Sequence, residues 1–394
     1  MRKLFILRGA ACSGKTSFIE ANRLAPYTIS LEFVYPVKRE MDACGRWVSR
    51  PVAKKDREVL VAQILNRMSR GETIFIDGRN LKVKDLNFYR QLADDNRYEM
   101  AVIEFRSDVN ILLKRNSKKP DWGKLTKKEL TEQVELMDSE VIPEEIPVIT
   151  KHKLPKFAEL NDFNQYDEIV HIGDIHGCLY PLFDALGCDE NGKGLKSNTA
   201  YVFTGDLLER GPENAETYKF FERISGEPNV YMIEGNHDTK LWDWAVGNEV
   251  KTNEEFERMT SELESAGVTT RSIKKLCKKM LPYLFYTFNG NKYFCTHGGV
   301  PRIPEEILCM PAGQLIGGVG QYAAAPFIDE MFEKIYSGKG IYQIHGHRNP
   351  EYQPIKVNDC CFNLDGHVED YGALRRLTIN RSGVECKSFD AEGL

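Results

Sequence analysis

Five short motifs in a fixed order constrain this chain more than any other feature. They are Gly173-Asp174-Ile175-His176-Gly177, Gly205-Asp206-Leu207-Leu208-Glu209-Arg210-Gly211, Gly235-Asn236-His237-Asp238, His297-Gly298-Gly299 and Gly346-His347. Each follows an apolar run that reads as a strand: Glu168–Ile172, Ala200–Thr204, Asn229–Ile233, Lys292–Thr296 and Ile341–His345. Strands that end in polar, glycine-containing turns bring those turns together along one sheet edge. The residues in the turns are metal-ligand types. Two divalent cations roughly 3.5–4 Å apart need a shared carboxylate and a bridging water. Asp206 is the expected bridge. Asp174 and His176 complete the first metal, and Asn236, His297 and His347 complete the second. Mixed oxygen and imidazole donors suit Mn²⁺, Fe or Zn²⁺ better than Ca²⁺. His237 is the expected general acid for a leaving alkoxide, oriented by Glu209 or Asp238. Arg210 is the expected phosphate grip, because a guanidinium binds phosphate bidentately. A satisfied core histidine explains any one of these residues alone, but not the ordered set. His345, just before the last motif, is expected to stand behind the ligands.

A second constellation lies near the start. Gly9-Ala10-Ala11-Cys12-Ser13-Gly14-Lys15-Thr16 matches the phosphate-binding loop GxxxxGK[ST] in full. It follows the apolar run Lys3–Leu7 and precedes a helical stretch, as the motif requires. Its backbone N–H groups and the helix start would face a phosphate. Lys15 would reach the β- and γ-phosphates of ATP, and Thr16 would hold Mg²⁺. Glu32, after the apolar stretch 27–31, is a candidate acceptor-side base, and an ordinary surface glutamate is an equal alternative. Asp77, after the strand Thr73–Ile76, is a further metal or acceptor candidate. The basic run Lys114-Arg115-Asn116-Ser117-Lys118-Lys119 is either a cationic lid over the transferring phosphoryl group or a solvated helix face.

Apolar runs alternate with helical stretches through the first half. That pattern predicts a parallel sheet with helices on both faces. The stretch 141–155 carries three prolines and no clear period, and reads as a break between two domains. The boundaries expected are 1–148, a linker at 149–165, and 166–394. A charged, mostly helical insert is expected at 239–279. A chain of 394 residues suits two domains. The net charge is 53 − 58 = −5, which argues against a general nucleic-acid-coating protein. Residues 1–150 hold 27 basic and 22 acidic residues (+5), leaving 26 and 36 (−10) for the rest. The basic half suits an anionic substrate, and the acidic half suits metal. The ten cysteines include no CxxC pair, which points to free thiols in a reducing cytoplasm. No apolar run approaches the ~18 residues of a membrane span, and the start lacks a signal-peptide pattern.

The five-motif pattern resembles the calcineurin-like metallophosphoesterases over residues 166–394. That resemblance implies an α/β sandwich. The GNHDTKL form at 235–241 is similar to the phosphatase module of bacterial RNA end-healing enzymes. It also resembles serine/threonine phosphatases and diadenosine tetraphosphatases. Glu209 stands where the family usually has aspartate as the partner of its histidine. Asp365 stands where the family has a late aspartate at the site edge.

Residues 1–150 resemble the kinase domain of the T-even phage polynucleotide kinase-phosphatase. The likeness rests on the loop at 9–16, the segment Arg79-Asn80-Leu81, and Leu113-Lys114-Arg115-Asn116-Ser117-Lys118. It implies a P-loop kinase that moves the ATP γ-phosphate to a 5′-hydroxyl of RNA or DNA. Arg115 would be the lid arginine and Glu32 the base. The family's base is an aspartate, and the family's acceptor-phosphate arginine falls on Tyr35, with Lys38 or Arg39 as substitutes.

The two resemblances together imply a polynucleotide 5′-kinase/3′-phosphatase. Its substrates would be RNA or DNA ends, and a separate ligase would seal them. Its cofactors would be ATP with Mg²⁺ for the kinase and two divalent metals, Mn²⁺ foremost, for the phosphatase. Two rivals stand beside it. One is a protein phosphatase or nucleotidase with an ATP-binding regulatory domain. The other is a non-catalytic ATP-sensing module that gates the phosphatase.

Overall fold

Alternating buried side chains make the first strand, β1 (Lys3–Arg8), the centre of a sheet. Leu4 and Ile6 point to one core cluster, which includes Leu60, Ile64 and Leu86. Phe5 and Leu7 point to the other, with Phe18, Ile19 and Phe75. A strand covered on both faces loses its polar alternation, which is why Leu4–Leu7 is wholly apolar. In a computed structural model, residues 2–34, 39–41, 43, 45, 47–49, 54–152, 154 and 158–390 are described. The chain divides into two compact units, 1–157 with 305–312, and 158–304 with 313–394.

In the first unit, β2 (Thr28–Ser30), β5 (Ile74–Asp77), β6 (Glu99–Glu104) and β7 (Val148–Ile149) join β1 in the order β2-β5-β1-β6-β7. All four pairings are parallel. β3 (Arg39–Met41) and β4 (Trp47–Ser49) form a separate antiparallel pair. Helices Lys54–Met68 and Val83–Asp95 cover one face of the sheet and Lys15–Ala21 the other, while Lys127–Ser139 packs Leu130 against Ala10 and Leu112. The chain reverses its direction of sheet growth at β1, so the loop leaving β1 opens at a topological switch point. The expected linker differs from the structure here. Val148 and Ile149 pair with Val102 and Ile103 as an edge strand, and the second unit's first strand begins at Asn161. Two-residue edge strands carry too few side chains to show a period.

The second unit is two five-stranded sheets. One runs β11-β10-β9-β16-β17, where β9 is Glu168–Ile172, β10 Thr199–Phe203, β11 Val230–Met232, β16 Ala373–Asn380 and β17 Gly383–Asp390. The other runs β15-β14-β13-β12-β8, where β8 is Asn161–Asp162, β12 Leu284–Phe288, β13 Asn291–Cys295, β14 Ile341–His345 and β15 Cys361–Asn363. Ile169, Val202 and Leu377 of the first sheet meet Tyr286, Ile344 and Phe362 of the second in one core. Helices Leu179–Leu186, Asn214–Ile224 and Asn236–Val246 cover the outer face of the first sheet. The insert at 239–279 is helical, with Glu254–Ser265 and Thr270–Cys277 packed in that outer cluster. His171 is fully buried between the sheets, where its Nε2 meets the Tyr286 hydroxyl at 2.9 Å. Burial lowers its pKa to about 3, so it is a neutral core histidine.

Candidate metallophosphoesterase site

The five motifs occupy the loops at the C-terminal ends of β9, β10, β11, β13 and β14. Three of these strands belong to one sheet and two to the other, so the site straddles the top of the sandwich. Two glycines explain why the loops can come so close. A Cβ at Gly235 would lie 2.0 Å from Asp206 Oδ1, and one at Gly346 would lie 1.9 Å from Asp174 Oδ1. The backbone is strained where the chemistry is. His176, Asp206, Glu209, Arg210 and His347 all have positive φ, from 48° to 77°. Non-glycine residues seldom adopt this region, and the surrounding structure must hold them there.

The structure brings together Asp206, His176, His237, His297 and His347. Ligand atoms of His176, Asp206 and His237 lie within 4.8 Å of one another, as do those of Asp206, His297 and His347. Asp206 is common to both groups, so it would be the carboxylate shared by two metals. Its Oδ2 is 3.1 Å from His297 Nε2 and 3.8 Å from His176 Nε2. Asn236 Oδ1 lies 3.1 Å from the same His297 nitrogen. His297 Nδ1 is 2.7 Å from the Thr204 carbonyl, which directs Nε2 into the site. Asp174 falls outside both groups. Its Oδ2 accepts the His347 amide at 2.8 Å, and its Oδ1 is buried without a partner among the described residues. His176 Nδ1 is likewise without one.

Burial and the neighbouring charges move the pKa values of the clustered residues in opposite directions. Burial pushes the Asp174 carboxyl well above its ordinary value. Burial opposes a charge on His297, yet Asp206 and Asp174 outweigh it and raise its pKa to about 10. Burial also works against the Asp206 anion, but the imidazoles of His297 and His237 hold it well below the usual carboxylate range. His347 is pushed down to about 3 by burial and then by His297, so it offers a neutral nitrogen. Buried carboxylates, imidazoles and an amide oxygen, with an orphaned carboxylate oxygen among them, fit divalent transition metals.

The residues around this cluster separate the two candidate partners of His237. Its Nδ1 is 2.8 Å from Glu209 Oε2, while Lys240 donates to Glu209 Oε1 at 2.9 Å. Asp238 instead accepts the backbone amides of Gly235, Asp206 and Leu207, and so ties two loops together. Burial disfavours a charged His237, but Asp206 and the Glu209 hydrogen bond raise its pKa above the ordinary value. Arg210 Nη2 lies 3.2 Å from His237 Nε2, and Arg210 Nη1 lies 2.5 Å from Glu369 Oε1. His345 meets Asp329 at 3.1 Å and lies outside both ligand groups. Asp365 is buried and accepts the His367 amide at 3.1 Å. Two residues here, Lys240 inside the GNHDTKL form and Glu369 outside any motif, have roles that the motifs do not assign. Lys240 lies one helical turn after Asn236 in the fourth-residue spacing of its helix. Glu369 sits in a loop with no motif.

In the first unit, the loop Gly9–Gly14 leaves β1 and the helix Lys15–Ala21 begins at Gly14, whose φ is 105°. Lys15 is buried, and its Nζ donates to the carbonyls of Gly9 and Ala10 at 2.8 and 2.9 Å. Thr16 is exposed. Ala11 N donates to Gln133 Oε1 at 2.9 Å. Arg115 Nη1, from the helix Val109–Asn116, donates to the Cys12 carbonyl at 3.0 Å. Asn80 Nδ2 donates to the Leu7 carbonyl and Gly9 N to the Arg79 carbonyl, so the 79–81 segment braces the loop's entry. Asp77 ends β5. Glu32 lies in the short helix Leu31–Val34, but its side chain falls outside the described residues, as do Tyr35, Lys38 and the side chain of Arg39.

Loops from both sheets that gather a shared carboxylate, imidazoles and an arginine define a metal-dependent phosphoesterase of the two-metal class. The family model for calcineurin-like phosphoesterase matches residues 168–383, more than half the chain. The chain belongs to the calcineurin-like phosphoesterase family. It is similar to the bis(5′-nucleosyl)-tetraphosphatase PrpE of Bacillus subtilis strain 168, at 30% identity over 207 residues, covering 48% of this chain and 81% of that protein. The protein of the same name from Halalkalibacterium halodurans is 28% identical over 139 residues, 33% of this chain and 56% of its own length. Serine/threonine-protein phosphatase 7 of Arabidopsis thaliana is 31% identical over 164 residues, 40% of this chain and 37% of its own length. For these last two, the chain spans about half or less of the relative it matches. Among the described residues, no helix is long and apolar enough to cross a membrane.

Proposed function

We propose that this phosphoesterase is one half of a bifunctional nucleic-acid end-healing enzyme. The second unit would remove 3′-phosphate, or open a 2′,3′-cyclic phosphate, at a polynucleotide end. The first would transfer the ATP γ-phosphate to a 5′-hydroxyl. The observation that carries the hydrolytic part is the line Lys240–Glu209–His237–Arg210 beside Asp206. Two bound metals would supply Lewis acidity and an acidified water. The chain's own residues do the rest. Arg210 would hold phosphoryl oxygens, and His237, oriented by Glu209 at Nδ1, would give a proton from Nε2 to the departing alkoxide. Asp206, Asp174, His176, Asn236, His297 and His347 would hold the metals.

The phosphotransfer part is supported by a complete GxxxxGKT loop at the switch point of a parallel sheet, with Arg115 touching it from a neighbouring helix. Gly9–Thr16 would cradle ATP, Lys15 would swing from its carbonyl partners to the phosphates, Thr16 would hold Mg²⁺, and Arg115 would close over them. Glu32 is retained as the proposed base. Partners on this reading are RNA or DNA ends and a separate ligase, in the cytoplasm.

A second reading is favoured by the relatives' names: hydrolysis of a dinucleoside tetraphosphate or a phosphoprotein, with the P-loop unit as an ATP-binding regulator. One experiment separates the two. The protein is incubated with γ-labelled ATP and a 5′-hydroxyl oligonucleotide, then with a 3′-phosphate oligonucleotide, diadenosine tetraphosphate and a phosphopeptide, each with Mn²⁺. Label transfer and 3′-dephosphorylation are expected. No transfer, with faster hydrolysis of the tetraphosphate or phosphopeptide, would replace the first reading by the second.

A further inference from the structure

Arg210 does not present a free fork to the metal site. Its Nη1 is 2.5 Å from Glu369 Oε1 and its Nη2 is 3.2 Å from His237 Nε2. The Glu369 side chain is only 8% exposed, and its Oε1 lies 3.8 Å from His176 Nε2. Its second oxygen, Oε2, is buried with no hydrogen-bond partner among the described residues. A buried acidic side chain therefore stands on one prong of the arginine that reaches both His176 and His237, at the edge of the seat a phosphoryl group would take. Burying such an oxygen without a partner is costly, so a structural role alone does not account for it.

Charge decides what this does. A phosphomonoester near neutral pH carries about two negative charges, a phosphodiester one. Arg210 with Glu369 bound to it offers a hydrogen-bond donor but little net charge, and Glu369 adds repulsion that grows with each charge on the incoming phosphate. We propose that Glu369 is a specificity-determining residue that tilts this site toward singly charged phosphodiester or phosphoanhydride linkages and away from doubly charged terminal monoesters. A strained 2′,3′-cyclic phosphate and an internal polyphosphate linkage both belong to the favoured class, and the shared chemistry is one negative charge at the attacked phosphorus. This rests on Arg210 as the phosphate grip, and it narrows the proposed function to opening of the 2′,3′-cyclic phosphate as the faster reaction, with removal of the 3′-monoester the slower one.

The test uses the full chain with Mn²⁺ and two matched substrates, p-nitrophenyl phosphate and bis-p-nitrophenyl phosphate. Glu369→Gln keeps the size and an acceptor oxygen but removes the charge. The expected result is a rise of about tenfold in kcat/KM for the monoester relative to the diester. Glu369→Asp, which keeps the charge, should leave the ratio within about twofold of the original. An unchanged ratio in Glu369→Gln would overturn the proposal, as would an equal fall on both substrates, which marks Glu369 as a brace for Arg210 only. A lower bound-metal content in the variant would also overturn it, in favour of Glu369 as a ligand. Arg210→Ala keeps the two ideas apart. It should weaken both substrates, and if it weakens neither, the grip itself is wrong whatever Glu369 does.

Discussion

The two regions proposed to handle phosphate are built on opposite plans. In the first unit, eight consecutive residues, Gly9–Thr16, make the loop, and most of what they offer a phosphate is backbone. In the second, six proposed ligands arrive on five loops from two sheets, and what they offer is side chains. A backbone cradle needs glycines and a helix start, which many sequences around it can support. A side-chain constellation needs each loop at a set height and angle, and five site residues hold positive φ to achieve it. The first plan would hold a phosphate and leave the acceptor open. The second comes closer to fixing the reaction.

This contrast can be broken most sharply at its two centres. Asp206→Ala should lower p-nitrophenyl phosphate hydrolysis by about three orders of magnitude or more, because both groups of ligand atoms share that carboxylate. Phosphate transfer from ATP, assayed in parallel, should be unaffected, and a joint loss would show that the regions are not independent. Lys15→Ala is the mirror experiment. Transfer should fall by about a thousandfold while hydrolysis stays within about twofold, since the lysine donates to its own loop at Gly9, Ala10 and Ser13.

Smaller effects sharpen the picture. Lys240→Met removes the ammonium that holds Glu209 and lies 4.2 Å over the Phe256 ring. Hydrolysis of an alkyl phosphate should fall about tenfold, and that of p-nitrophenyl phosphate only about twofold, because a good leaving group needs little proton donation. Equal losses on both would assign Lys240 to folding instead. The smallest expected effect lies in the first unit. Thr126 and Glu129 form a capping box on the helix Lys127–Ser139, whose Gln133 accepts from the loop at Ala11. Thr126→Ala should lower stability to denaturant by about 1 kcal/mol, with hydrolysis unchanged in native buffer.

The sequence was informative where chemistry forces residue type and order together. The strands Glu168–Ile172 and Ile341–His345 end where the apolar run gives way to a ligand loop, so their limits were readable to the residue. The choice between Glu209 and Asp238 was not, because both carboxylates lie near His237 in sequence and only the folded loops show which one faces its ring. Strand β12 was missed although its turn was in view. Asn289 and Gly290 both have positive φ, as a two-residue hairpin demands, and Asn-Gly between aromatic runs announces it. The pair β16–β17 was missed for another reason: β17 is almost wholly exposed and shows no apolar face. Glu369 could not be found at all. It meets Arg210 across 159 residues, and a single acidic residue has no pattern to betray the encounter.

The straddling of two sheets by one set of ligands has a thermodynamic consequence. Asp174 and the His347 amide are joined across 173 residues of chain, so the donor set exists only once both layers have closed on each other. A bound cation pair then acts as a rivet through the top of the sandwich, with no equivalent in the unfolded chain. At a hundredfold excess of free Mn²⁺ over its dissociation constant, such a rivet adds about 2.7 kcal/mol per site. The melting temperature of the second unit should therefore climb with the logarithm of metal concentration, long after hydrolysis has saturated.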